Sequence, residues 1–162
     1  ALGKRSSVAP RQGGDVTAAA PTVAAAPPTA STAPQPTRAT VMIVEDDALI
    51  RLSTGEYLRD CGYEVLEAGR GDAALRLLEQ HSEVAVLLTD FGLPGMNGGE
   101  LVRQAQAQRP ALPAILITGR SREAVEATGL LSDKVHVLEK PYELGALRRM
   151  VEELLGGRTP TA

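Results

Sequence analysis

The sequence predicts an α/β domain built on a doubly wound, five-stranded parallel sheet, and three observations predict it. From residue 40 onward, short apolar runs alternate with amphipathic stretches, the pattern of strands covered on both faces and joined by helical crossovers. Glycine and proline punctuate the joints: Gly62, Gly71, Pro94, Gly95, Pro110, Pro113, Pro141 and Gly156. Polar residues with chemical capability follow four of the apolar runs directly, as Glu45-Asp46-Asp47, Asp90, Thr118-Gly119 and Lys140-Pro141.

Each element follows from its local pattern. Val41-Met42-Ile43-Val44 is the first buried strand. Asp47 starts a helix that places Ile50, Thr54, Tyr57 and Leu58 on one face and stops at Gly62. Tyr63-Glu64-Val65-Leu66-Glu67 alternates and suits an edge strand. Gly71 and Asp72 open a helix through Ala74, Leu75 and Leu78, with Asp72 placed to favour the positive end of the helix dipole. Val84–Thr89 is the third strand, and Asn97 or Gly98 starts the helix bearing Leu101, Val102 and Ala105. Pro110 and Pro113 bracket the next turn, because each disfavours helix in the residue before it. Ala114–Thr118 is the fourth strand, followed by a short, weak helix near Arg122–Thr128. Val135–Leu138 is the fifth strand, and a helix over Glu143–Leu155 turns Leu144, Leu147, Val151, Leu154 and Leu155 inward. With strand order 2-1-3-4-5, the topological switch point falls between the first and third strands, where Asp46 and Asp90 stand.

Composition divides the 162 residues in two. Residues 1–39 hold eleven alanines, six of the eleven prolines and no aromatic residue, too little apolar area to offset the entropy of ordering. They are expected to be a disordered linker, with a reach of about 35 Å for a flexible chain of that length. Residues 40–157 suit a single-core domain, and 158–162 a flexible C-terminus. The first 39 residues carry four basic groups against Asp15, whereas the remainder carries 13 basic and 19 acidic residues. An acidic domain of this kind argues against nucleic acid as its direct ligand. No run approaches the roughly 20 apolar residues that span a bilayer, so membrane contact is not expected and a cytoplasmic location is. Cys61 is the only cysteine, which excludes a disulfide framework and a cysteine-based zinc site, and it suits a half-buried helix end before Gly62. His81 and His136 have no partner at ligand or triad spacing and read as structural.

Four strand ends that present an acid pair, an acid, a hydroxyl and an amine suit a Mg²⁺-assisted phosphoryl-acceptor site. Val44-Glu45-Asp46-Asp47, Asp90 with Leu93-Pro94-Gly95-Met96-Asn97-Gly98, Thr118-Gly119 and Lys140-Pro141-Tyr142 together resemble the receiver domain of bacterial response regulators and hybrid histidine kinases. The resemblance covers residues 40–157 and implies the flavodoxin-like receiver fold. It further implies that Asp90 accepts a phosphoryl group from a phosphohistidine-bearing kinase or phosphotransfer domain. Asp46, Asp90 and the Gly92 carbonyl would then hold Mg²⁺, with Glu45 acting through a water. Lys140 and Thr118 would contact phosphoryl oxygens, and Gly119 would leave their approach open. A weak homodimer is a further expectation.

The Ala/Pro-rich leader, the absence of an initial Met, the chain stopping soon after the last helix and the Gly-Leu-Pro-Gly-Met-Asn-Gly loop lead us to expect the C-terminal receiver of a hybrid sensor kinase. A freestanding single-domain regulator is the alternative, and a pseudo-receiver that never takes phosphate is a rival of another class. An aspartyl-phosphate phosphatase would carry a second aspartate two residues after the nucleophile, where this chain has Gly92. Three departures from the family pattern bear on switching. Val137 replaces the aromatic common three residues before the lysine, Gly92 and Arg120 occupy positions that tune phosphate lifetime, and a Gly-, Arg- and Ser-rich segment follows Thr118.

Overall fold

The computed structural model describes residues 38–156; the expected linker, apart from Arg38 and Ala39, and the expected C-terminal tail lie outside the described residues. Strands β1 (Thr40–Val44), β2 (Glu64–Ala68), β3 (Val84–Asp90), β4 (Ala114–Thr118) and β5 (Val135–Glu139) alternate with five helices. These are α1 (Ala48–Asp60), α2 (Gly71–Gln80), α3 (Gly98–Gln108), α4 (Arg122–Glu126) and α5 (Leu144–Leu154). The five strands pair with one another in parallel, in the order β2-β1-β3-β4-β5, as expected from the sequence.

Alternation along the strands assigns each side chain to one of two cores. Met42, Val44, Leu87, Ala114, Leu116, Val135 and Val137 face one side, where Ala74 and Leu78 of α2, Leu101, Val102 and Ala105 of α3, and Val125 of α4 meet them. Val41, Ile43, Val86, Leu88, Ile115, Ile117 and Leu138 face the other, against Leu58 of α1 and Leu147 and Val151 of α5. Both faces of the sheet are therefore apolar, and the polar residues collect where the strands run out.

Side-chain caps start α1, α3 and α4, whereas α2 and α5 begin without one. The Asp47 carboxylate accepts from the N–H groups of Leu49 and Ile50 at 2.8 and 3.1 Å, and the Asn97 side chain accepts from Glu100 N–H at 2.9 Å. Arg109, just past α3, donates to the carbonyls of Leu78, His81 and Val84, and so closes the end of α2 and the entry to β3. Cys61 caps α1 half-buried, as expected.

Three expectations are corrected. Ile50 is 40% exposed rather than inward, and Leu49 and Leu52 beside it are more exposed still. The first turn of α1 follows directly on the exposed Asp46-Asp47 turn, and the buried face of the helix begins at Thr54. Tyr63 is buried but precedes the edge strand, which starts at Glu64. α4 is five residues long, and the chain then turns through Gly129, whose φ of 70° is one that side-chain-bearing residues rarely adopt. No helix among the described residues is long and apolar enough to cross a membrane.

Candidate functional site

Parallel pairing brings the carboxyl ends of all five strands to one edge, where the chain leaves β1 toward β2 on one side and leaves β3 toward β4 on the other. This opens a crevice above β1 and β3. Asp90 closes β3 there with 8% of its surface exposed. Its carboxylate is held from two sides: Lys140 Nζ donates to Oδ1 and the Gly92 N–H donates to Oδ2, each at 2.7 Å. Lys140 follows β5, and its own N–H donates to the Thr118 carbonyl at 2.7 Å, which ties the lysine backbone to β4. Thr118 is buried, and its hydroxyl oxygen accepts from Arg120 N–H at 3.0 Å, so its proton is left for an acceptor in the crevice. An open cavity of about 530 Å³ lies over these groups, lined also by Gly119, Asn97 and Arg120. The Arg120 guanidinium rests 5.2 Å from the centre of the Phe91 ring.

The acid turn after β1 completes the site. Carboxylate oxygens of Glu45, Asp46 and Asp90 lie within 4.8 Å of one another. Glu45 is buried and accepts from Asp47 N–H at 3.1 Å, whereas Asp46 is exposed. Burial pushes the Glu45 carboxyl above its ordinary value; the Asp47 N–H opposes that rise and the Asp90 charge adds to it. Burial also works against the Lys140 ammonium, but the hydrogen bond and charge of Asp90 hold it above the usual lysine value. Three converging carboxylates facing one ammonium present an all-oxygen donor set, which fits a hard divalent cation such as Mg²⁺.

Glu45, Asp46, Asp90, Gly92, Thr118, Gly119 and Lys140, all named from the sequence, are thus gathered at one edge of the sheet. An added methyl group at Gly119 would meet nothing within 4 Å, as expected of a residue facing open space. Sequence reasoning passed over Arg51, whose guanidinium reaches the Glu45 carbonyl, and the steric role of Gly98. A basic residue one helical turn after Asp47 and a Gly-Gly pair at a helix start were the available signals.

The fold and this crevice define a two-component signalling module. The chain belongs to the response regulator receiver domain family, whose profile matches residues 41–152. It is 32% identical over 119 residues to a chemotaxis protein CheY homolog of Campylobacter jejuni, covering 72% of this chain and 92% of that one. It is 32% identical over 118 residues to the sensor kinase CckA of Brucella abortus, and 34% identical over 119 residues to a cyclic di-GMP phosphodiesterase of Thermotoga maritima. Those matches take in 72% and 74% of this chain but only 12% and 32% of the two larger relatives. Among solved structures, the receiver domain of the hybrid histidine kinase CckA superimposes with a TM-score of 0.61 at 29% identity, covering 72% of this chain and 98% of that one. A CheY-like receiver protein of Methanospirillum hungatei JF-1 gives 0.63 at 30%, covering 77% and 100%. Receiver domains take phosphoryl groups from histidine kinases or phosphotransfer proteins and generally bind Mg²⁺ at an acidic pocket.

Proposed function

We propose that Asp90 is the phosphoacceptor of this domain and that a phosphohistidine is its donor. The observation that carries this is the Asp90 carboxylate itself, nearly buried at the floor of an open cavity, with an ammonium on one oxygen and two further carboxylates beside it. In the transfer, an Asp90 oxygen forms a bond to phosphorus as the phosphorus–nitrogen bond of the donor imidazole breaks, and the imidazole leaves with the bonding pair. Lys140 passes from the carboxylate to a phosphoryl oxygen, and the Thr118 hydroxyl donates to another. Asp46, Asp90 and the Gly92 carbonyl would hold Mg²⁺, with Glu45 acting through a water, and the ion would supply the charge that offsets the clustered carboxylates. Cytoplasmic placement accords with a donor charged from ATP.

Incubation with the cognate phosphorylated histidine domain and Mg²⁺, followed by borohydride, which reduces an aspartyl phosphate to homoserine with loss of phosphate, is expected to leave homoserine at residue 90 by mass spectrometry. Labelling of Asp90→Asn at the wild-type level would falsify the assignment, and an unlabelled wild type would identify a pseudo-receiver. We further infer a hybrid sensor kinase as the parent, supported by the likeness to CckA in sequence and structure. The identity to the single-domain CheY homolog is the same, so it supports the freestanding alternative equally. An immunoblot of cell extract separates them: a multidomain band supports the first, a band of the chain's own mass the second.

Val137, where many receivers have an aromatic residue, is buried in the core shared with Val125 of α4. Switching is therefore expected to run through Thr118 into α4, which is short and has few residues to hold it. Its first N–H is tied to the Glu139 carboxylate at 2.8 Å. Amide shift mapping with beryllofluoride is expected to show the largest changes at residues 91–96 and 118–130. A response centred on β5 and α5, with 119–130 silent, would contradict this route.

A further inference from the structure

The turn that carries Glu45 and Asp46 is gripped from two directions. The Glu45 N–H donates to the Ala68 carbonyl at the end of β2 at 3.1 Å. The Glu45 carbonyl accepts from Arg51 Nη1, on α1, at 2.7 Å. Arg51 is held in turn, with its Nε 3.6 Å from Glu67 Oε2 on β2, and the other Glu67 oxygen accepts from Arg59 Nη2 at 2.8 Å. The Glu67 side chain is only 17% exposed, so this pairing is better shielded than an ordinary surface ion pair.

A second observation shows that α1 is shaped to receive Glu67. Gly55 lies buried in the middle of that helix, and a Cβ there would stand 2.7 Å from Glu67 Oε1. Glycine inside a helix costs about 1 kcal/mol relative to alanine, so α1 gives up stability where the Glu67 carboxylate sits. Three carboxylates within 4.8 Å of one another repel, and a turn free to relax would carry Glu45 and Asp46 away from Asp90.

We infer that Arg51 is a positioning residue for the divalent-cation site: anchored by Glu67 on the edge strand, it fixes the Glu45-Asp46 turn so that three carboxylates converge before the ion arrives. The inference rests on reading the acid cluster as a Mg²⁺ site. Its consequence is preorganisation, because an ion that meets ligands already assembled does not have to supply the free energy of gathering them.

The test is a Mg²⁺ titration of the whole chain, followed through the amide shifts of residues 45–47 and 90–92. Arg51→Ala is expected to weaken Mg²⁺ by about 10- to 100-fold, the usual cost of losing an outer-shell partner. Glu67→Gln is expected to weaken it less, because Arg51 keeps its bond to the Glu45 carbonyl. Arg109→Ala removes another carbonyl-binding arginine at the opposite end of β3 and is expected to leave the affinity within about twofold while lowering thermal stability. Hydrogen exchange without Mg²⁺ adds a second readout, with the Glu45 amide expected to exchange faster in Arg51→Ala than in Arg109→Ala. If Arg51→Ala does not fold, Arg51→Met keeps the apolar stem and the same affinity criterion applies. Wild-type Mg²⁺ affinity in a folded Arg51 variant overturns the role of Arg51. A wild-type chain whose shifts ignore Mg²⁺ overturns instead the cation site on which it rests.

Discussion

Replacing Lys140 with alanine is expected to slow phosphotransfer to Asp90 by about 100-fold or more, the usual cost of removing one preorganised charge from a reacting centre. The Lys140 ammonium donates directly to the Asp90 carboxylate, and the Thr118 carbonyl fixes its backbone. The same substitution is expected to tighten Mg²⁺ binding, because the three carboxylates then face the ion without a competing positive charge. Its effect on stability follows from the same balance. The lysine side chain is 36% exposed, so the ion pair itself contributes little in water. Asp90 is nevertheless left beside two other acids, so the thermal midpoint is expected to fall in chelator and recover with Mg²⁺. Transfer rates, Mg²⁺ titration and melting curves check the three effects, and a wild-type transfer rate would remove Lys140 from the site.

Gly98→Ala is expected to be the most damaging single-methyl addition in the domain. A Cβ at Gly98 would overlap the Asp90 carbonyl oxygen and come within 2.9 Å of the Asp90 carbonyl carbon and Phe91 Cα. These are backbone atoms, and they are held in place. Phe91 N–H donates to the Ile117 carbonyl at 2.7 Å, and the Phe91 carbonyl accepts from Gly98 N–H at 2.9 Å. The start of α3 therefore rests on the peptide that carries the acceptor aspartate. Overpacking against a rigid partner costs about 3 kcal/mol. For a domain of this size that lowers the melting temperature by roughly 10 °C. Phosphotransfer is expected to fall as well, because relief requires Asp90 to move. Gly119→Ala is the contrast: its methyl group projects into open space, so the melting temperature is expected to stay at the wild-type value. Equal stability of the two variants would show that the α3 start yields without disturbing the strand.

Much of this molecule was legible in the order of its residues, for a local reason. Whether Met42 or Ile43 points to one core or the other depends on strand alternation, which apolar runs record directly. Asp47 and Asn97 cap helices through bonds two or three residues away, so their roles also lie within a short window. The site residues could be named because four polar motifs follow recognisable apolar runs, and because those motifs together resemble a known family. The same local logic misplaced Ile50, since helical period alone does not show which turns of a helix are covered by the rest of the fold. The distances that give the site its chemistry depended on pairing and packing. Asp90 and Lys140 are fifty residues apart in the chain, and only the adjacency of β3, β4 and β5 brings their side chains to 2.7 Å. The link from Glu67 through Arg51 to the Glu45 carbonyl needs α1 laid across the β1–β2 register. The demand for glycine at position 98 comes from a peptide seven residues earlier that folds back onto it. Sequence by itself determined which residues stand at the strand ends, because burial patterns are written locally. Tertiary structure decided which of them touch, because contact between elements is set by register and close packing that no short window contains.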